Sequence, residues 1–380
     1  MKMWIEKEKC TGCAACANIC PVKAIIMKED NYGFLYPHIS DRCIDCGYCQ
    51  KTCQLRGDVF GKNEKKPRIY AGWSLCEEIR FNSTSGGAFF ELANCILEKG
   101  GYIAGAQYGE KNIIEHVIVN TKEGLKRLQQ SKYTQSIIGN IFVEIKKLLQ
   151  DNKQVVFCGT PCQIAGLYSY LGKKYESLYT FDFICRGVNS PKAYRAWIKD
   201  LEAHYKRKVS RIWFKHKKFG WKKSPWCTRI EFEDGKHVFQ YKKKNFFMLG
   251  YLDLNLYIRP SCGNCDFKKF LTESDITLGD FWGLDASLDD DRGTSMIMVN
   301  SEKGERLLCE ASKRLKIFER DIEEIRDGNR YIQSSVQRNP AGNEFLEKLG
   351  QQSFDKLVQK ELRKKFKKQL INRFKKERTK

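Results

Sequence analysis

Two unlike folded units in tandem, a small cysteine-rich module and a larger α/β domain that ends in a basic helix, are expected from three observations. Residues 10–53 hold two copies of one cysteine spacing. From residue 69 onward, short β-rich runs alternate with helical patterns. Residues 354–380 repeat apolar side chains at helical spacing among lysines and arginines. The boundaries that follow are a module over 1–60, a linker over 61–68, the α/β domain over 69–335 and a helical basic tail over 336–380.

The front module carries the most specific signal. "CTGCAACANICP" places Cys10, Cys13, Cys16 and Cys20 at gaps of two, two and three, and "CIDCGYCQKTC" repeats the gaps with Cys43, Cys46, Cys49 and Cys53. Three thiolates on one tight loop suit three corners of a [4Fe–4S] cubane, while the fourth cysteine points to the other cluster. Cys10, Cys13, Cys16 and Cys53 are therefore assigned to one cluster, and Cys43, Cys46, Cys49 and Cys20 to a second. Zinc also accepts Cys-x-x-Cys, but two full copies of the run favour iron–sulfur chemistry. The segment resembles a bacterial two-cluster ferredoxin, which implies an α+β ferredoxin-like fold. It departs from that pattern at Gln54, where proline is usual. "GKNEKKPR", Gly61 to Arg68, reads as a polar linker.

The chain has 380 residues, 17 of them cysteine, and a formal net charge of +22. The charged start "MKMWIEKEKC" leaves no room for an export signal. No apolar run approaches the roughly 18 residues of a membrane span. A cytoplasmic location is expected, where cysteine serves metal ligation, redox chemistry or core packing. A [4Fe–4S]²⁺ cluster with four thiolates carries about −2, so three clusters would lower the balance to roughly +16.

In the larger domain "HVIVN", "QVVFCGT", "SLYTFDFIC" and "DITLGDFWG" read as strands. "TRIEFEDGKHVFQY" reads as a hairpin turning at Asp234-Gly235. Ser85, Gly86 and Gly87 precede an amphipathic helix that stops at Gly100, a place for a phosphate or pyrophosphate on free N–H groups; Ser85 as a simple helix cap is the alternative. In "VVFCGTPCQIAGLYSYL", Thr160 is the expected N-cap and Pro161 the first helical residue. Cys162 then lies in the first turn, where the helix dipole favours a thiolate, and Cys158 reads as core. Cys185 ends a strand in "FICRGVNSPKAYRAW", and "RPSCGNCDFKKF" supplies Cys262 and Cys265. Singly these are structural cysteines and half of a zinc site. Together they number four, two of them at strand ends where α/β sheets bind ligands, and they suit a third [4Fe–4S] cluster.

The ordered run "TSGGAFFELANCILEKG", "SKYTQSIIGN", "VVFCGTPCQIAGL", "FDFICRGVNSP", "RPSCGNCDFK" and "DITLGDFWG" resembles the coenzyme F420 hydrogenase/dehydrogenase beta-subunit family. With the double cluster motif in front, it is similar to the bacterial branch found among polysaccharide-biosynthesis genes. The resemblance implies an α/β flavin-binding domain in which FAD, or FMN, lies beside the cluster of Cys162, Cys185, Cys262 and Cys265. It implies flavin-side roles for Ser85, Gly86, Gly87, Lys132, Tyr133, Thr134, Gln135, Gly159 and Thr160. Asp280 in "GDFWG" is either structural or pocket-lining.

A flavin converts between hydride and single-electron chemistry, and cubanes pass electrons singly. The expected activity is therefore an oxidoreductase joining ferredoxin-type clusters to two-electron chemistry on a small molecule or a deazaflavin. The alternative is a non-catalytic electron-transfer subunit of a larger redox complex. Lys132 and Tyr133 are the acid candidates, since the five histidines form no triad. The basic charge favours an acidic electron carrier such as a ferredoxin or flavodoxin. "WFKHKKFGWKKSPW" interleaves lysine and tryptophan, but no recognised binding fold accompanies it, so nucleic acid is disfavoured. The tail stripe either packs on its own domain or makes peripheral contact with an anionic membrane.

Overall fold

The computed structural model describes residues 5–56, 66–268, 272–285 and 287–378. Residues 61–65 of the expected linker lie outside that set.

In the front module β1 (Ile25–Glu29) and β2 (Leu35–Ile39) form an antiparallel pair, with Ile25 opposite Ile39. A short helix follows each cysteine triplet's start, Ala15–Ile19 in the first copy and Tyr48–Lys51 in the second. Both are entered through a left-handed residue, Ala14 at φ 64° and Gly47 at φ 74°. Glycine adopts that conformation freely and alanine at a cost of about 1 kcal/mol.

The larger domain is built on β3 (Arg68–Ser74), β4 (Tyr102–Tyr108), β5 (Ile114–Val119), β6 (Val155–Cys158) and β7 (Leu178–Phe183). A separate antiparallel sheet follows, made of β8 (Val209–Trp213), β9 (Cys227–Phe232) and β10 (His237–Tyr241). β11 (Ile276–Asp280), β12 (Ser295–Val299) and β13 (Leu315–Arg320) then return to the first sheet. Its order is β13-β3-β12-β11-β7-β6-β4-β5. The central strands β11, β7, β6 and β4 run parallel, and β5, β12, β3 and β13 complete the sheet through antiparallel pairs. Val155, Val156 and Phe157 are wholly buried, as a strand covered on both faces requires. β9 and β10 form the expected hairpin, with Gly235 at φ +79° in its turn.

Residues read as a tail contribute to a core. Val336, Phe345, Leu346, Phe354, Leu357 and Val358 are buried with Trp197, Phe247 and Tyr257. The terminal helix Phe354–Arg378 packs through its first turns, while Phe366, Leu370 and Ile371 remain 63%, 40% and 46% exposed. The side chain of Phe374, also in the apolar stripe, lies outside the described residues.

The front module is seated on the larger domain. Arg195 makes a two-pronged pair with Glu29 at 2.7 and 2.5 Å. The Ser190 hydroxyl donates to the Tyr32 carbonyl. A Cβ on Gly33, at φ +83°, would meet the Lys192 backbone at 2.6 Å, so only glycine fits that turn.

Candidate functional site

Cys10, Cys13 and Cys16 are largely withdrawn from water, and burial pushes all three thiols up, that of Cys13 to about 12. The sulfur of Cys53 adds to the rise in each, so the fourth cysteine of the second copy lies among the triplet of the first. Gln54 helps to place it. Its Nε2 donates to Thr11 Oγ1 at 3.0 Å, tying the second copy to the first cysteine loop. The residue that stands in for proline is thus a clamp, buried at 7% exposure. The Thr52 carbonyl accepts from Ser169 Oγ at 2.6 Å, on the helix Pro161–Leu171.

The second set faces outward. Cys20 lines one cavity with Cys43, Cys46 and Cys49, walled by Ile25, Ile39 and Ile44. The Ala24 amide donates to Cys20 Sγ at 3.2 Å. Cys46 is exposed, as are Ile44 and Tyr48 beside it.

The third set gathers from three separate stretches of chain. Thr160 closes a capping box with Gln163, and Pro161 opens the helix, which holds Cys162 at the C-terminal end of β6. Cys185 lies just beyond β7, the parallel neighbour of β6. Cys262 and Cys265 belong to a 3₁₀ turn over Pro260–Asn264 and its end. Burial pushes Cys162 well up; the Thr160 hydroxyl, 3.1 Å from its sulfur, opposes this, and the sulfurs of Cys185, Cys265 and Cys262 add to the rise. The helix start alone argued for a lowered thiol, but desolvation outweighs it here. The Cys262 thiol is pushed up to about 12 by burial and then by Cys185, while the Val188 amide donates to its sulfur at 3.4 Å.

Among the described residues no three histidine, cysteine or acidic side chains converge as single-ion ligands would. A cubane meets each thiolate at a different iron, so its ligands stay further apart. The surroundings of the third set are cationic. Arg186 donates to the carbonyls of Tyr251 and Leu252 and to Asn255 Oδ1. Lys268 Nζ donates to the carbonyls of Cys185 and Tyr331, and Arg259 donates to the carbonyls of Cys10 and Leu35. Cations held by carbonyl oxygens, Arg259 buried and Arg186 and Lys268 half-buried, fit an anionic group between them. Each flanks one of these cysteines in sequence, Arg186 directly after Cys185 and the others three residues from Cys262 or Cys265, a signal that reading for cysteines alone passes over.

The flavin-side candidates have mixed environments. Ser85 does not cap the helix Ala88–Glu98; its hydroxyl donates to the Thr294 carbonyl at 2.6 Å, and Gly87 at φ 94° is the N-cap. Gly86 is glycine because a Cβ would meet the Gly72 carbonyl at 2.3 Å, so it serves sheet packing. Lys132 caps the helix Lys122–Leu128, donating to the carbonyls of Arg127, Leu128 and Gln129. Burial, with Arg211 adding, lowers Lys132 to about 7. Thr134 Oγ1 reaches the Asn189 carbonyl at 3.4 Å. Gln135 Oε1 accepts from the Leu35 amide and Arg259 Nη1, both at 3.0 Å, which makes it a strut between the two units. The Gly159 amide pairs with the Phe181 carbonyl, and the Thr160 amide with Gln163 Oε1.

Tyr133 remains, packed on Phe214 and Tyr251 with ring centroids at 5.3 Å. Burial raises its hydroxyl, and Asp280 adds to the rise. Asp280 pairs with the buried Lys215, whose ammonium lies 5.2 Å over the Trp282 ring. Trp282 stacks on Trp221 at 4.3 Å and 7°. Lys217, lowered to about 7 by burial, donates to the Ser85 carbonyl. Lys217 thus joins the Ser85 turn, and the Asp280 carboxylate bears electrostatically on both Lys217 and Tyr133. Asn189 Oδ1 and Thr294 Oγ1 are buried here without partners among the described residues, as polar atoms awaiting a ligand would be.

The chain thus joins an iron–sulfur module to an α/β domain that holds a further set of four cysteines, two of them beside strand ends. Residues 152–325 match the family model for the C terminus of the coenzyme F420 hydrogenase/dehydrogenase beta subunit, and residues 9–66 match a 4Fe-4S dicluster domain. The larger domain thus carries the C-terminal module of the coenzyme F420 hydrogenase/dehydrogenase beta-subunit family, behind an N-terminal 4Fe–4S dicluster domain. The front module is 33% identical over 49 residues to an uncharacterised ferredoxin of Methanocaldococcus jannaschii, covering 13% of this chain and 64% of the relative. It is 39% identical over 54 residues to a 7Fe ferredoxin of Hydrogenibacillus schlegelii, covering 14% and 64%. The chain thus spans under two-thirds of either relative. A solved chain of the F420-reducing [NiFe] hydrogenase complex from Methanosarcina barkeri is 19% identical, with a TM-score of 0.44 over 82% of this chain and 95% of that one. Among the described residues no helix is long and apolar enough to cross a membrane.

Proposed function

We propose that the chain is a three-cluster iron–sulfur flavoprotein that passes electrons between ferredoxin-type clusters and two-electron chemistry on a small molecule. The observation that carries this reading is the convergence of Cys162, Cys185, Cys262 and Cys265 from three stretches of chain beside the inner front set. Cys10, Cys13, Cys16 and Cys53 would hold the inner cluster, and Cys20, Cys43, Cys46 and Cys49 the outer one. A bound flavin would supply exchange between single electrons and a hydride. The residues that would border it are Tyr133, Lys217, Asp280 and the Ser85–Gly87 turn. Tyr133 would orient and protonate at its hydroxyl, kept neutral by burial, and the Lys215–Asp280 pair would hold the floor beneath Trp282. Lys132, engaged with three carbonyls, would act as a support for this loop.

An acidic electron carrier is the proposed protein partner, and a deazaflavin or an unsaturated sugar-linked molecule is the proposed acceptor class, the latter following the polysaccharide-associated branch that the sequence resembles. Anaerobic purification of the full chain with iron and flavin quantification tests the reading. About twelve irons and one flavin per chain are expected. About eight irons with no flavin would reject it.

A further inference from the structure

Arg259 is 1% exposed, and among the described residues none of its polar partners is a carboxylate. Its Nε donates to the Cys10 carbonyl at 3.0 Å, Nη1 to Gln135 Oε1 at 3.0 Å and Nη2 to the Leu35 carbonyl at 2.9 Å. The guanidinium lies over the rings of Tyr36 at 4.3 Å and Phe34 at 5.5 Å. A buried cation paired only with neutral oxygens and π faces is expensive unless an anion offsets it. Its surroundings name that anion. Arg259 grips the loop of Cys10, where a Cβ on Gly12 would meet its Nη1 at 3.1 Å, and stands three residues before Cys262. The inner and third sets approach each other at a second point too. A Cβ on Gly166 would meet Cys13 Sγ at 2.9 Å, and Gly166 lies one turn beyond Cys162 on the same helix, about 6 Å of rise. Among the described residues the hydrogen bonds of Arg259 go to Cys10, Gln135 and Leu35, none of them in the outer set.

We propose that Arg259 is the fixed counter-charge of the inner cluster, raising its potential so that an electron delivered at the outer cluster moves inward towards the third set. It rests on the reading that the inner cysteines hold a [4Fe–4S] cluster. Each transfer moves one electron: the outer cluster is oxidised from the 1+ to the 2+ state as the inner is reduced from 2+ to 1+. No bond breaks and no proton moves. A reduced one-electron carrier protein supplies the electron. The added negative charge is stabilised by the guanidinium in a medium where Coulomb terms are strong.

The test is an EPR-monitored redox titration of the full, iron-loaded chain with dithionite. Arg259→Gln removes the charge and keeps hydrogen-bonding capacity. Gln135→Glu is isosteric, keeps the acceptor for the Leu35 amide and neutralises Arg259 in place. Both are expected to lower one midpoint by at least tenfold in the reduction equilibrium, about 59 mV for one electron, while the other midpoints stay. Arg259→Lys, which keeps the charge, is expected to shift the same midpoint less. Iron-replete Gln135→Glu and Arg259→Gln chains with every midpoint unmoved would overturn the proposal. Should Arg259→Gln fail to hold iron, Gln135→Glu decides alone. A wild-type count near eight irons would remove the third set of the functional reading, and the inner midpoint would still decide the role of Arg259.

Discussion

Cys162 and Cys158 lie four residues apart around one strand-to-helix junction, yet their neighbours differ. Cys162 is surrounded by three other cysteines. Burial pushes Cys158 up to about 12, with Asp182 adding and Lys132 opposing, and no cysteine bears on it. Cys162→Ser is therefore expected to lower iron content by about four per chain, and Cys158→Ser to leave it unchanged; equal losses in both would remove the third set. Asp182 offers a pH test. Burial pushes its carboxyl up to about 7, against opposing hydrogen bonds from Thr277 and Ser274. An unfolded aspartate ionises near pH 4, so between pH 4 and 7 the folded chain binds more protons and its stability falls as pH rises. The loss is up to about 4 kcal/mol. Asp182→Asn should raise the thermal midpoint relative to wild type at pH 8, with the gap closing towards pH 4. A gap independent of pH would show that Asp182 is already ionised in the fold.

The terminal helix divides into two parts with different duties. Phe354, Leu357 and Val358 are core residues, whereas the turns around Phe366, Leu370 and Ile371 meet water. Removing residues 354–380 discards three buried side chains and should cost several kcal/mol, on the order of a core truncation each. Removing residues 366–380 should leave the thermal midpoint within about 2 °C. Any binding to anionic vesicles belongs to that second part, so the shorter truncation separates membrane contact from loss of fold. Unchanged vesicle binding after it would end the membrane idea. The amphipathic stripe was legible in the sequence; where packing stops along it was not, because periodicity is the same for a covered and an uncovered turn.

Across the whole molecule, a net charge of +22 predicts salt-sensitive docking of acidic carriers. Stopped-flow reduction by an acidic ferredoxin should slow as ionic strength rises from about 10 to 500 mM, over which the screening length falls severalfold. A rate indifferent to salt would place docking elsewhere than on the basic surface. The outer cysteine set reaches the surface through Cys46, with the exposed Ile44 and Tyr48 beside it, so the proposed delivery of electrons is expected there.

Local order in the chain was enough for much of this protein. The cysteine repeat, four of the eight strands of the larger sheet (β5, β6, β7 and β11), the Asp234-Gly235 hairpin and the Thr160-Pro161 helix start are short-range patterns set by spacing, propensity and capping. Long-range packing settled the rest. It turned Gln135 from a cofactor candidate into a strut, Gln54 from an irregularity into a clamp and Gly86 into a packing residue against β3. It also placed Arg259 beside Cys10, 249 residues away in the chain. No spacing rule foretells such a meeting, because a buried charge takes its meaning from the partners that the folded chain brings within a few ångströms.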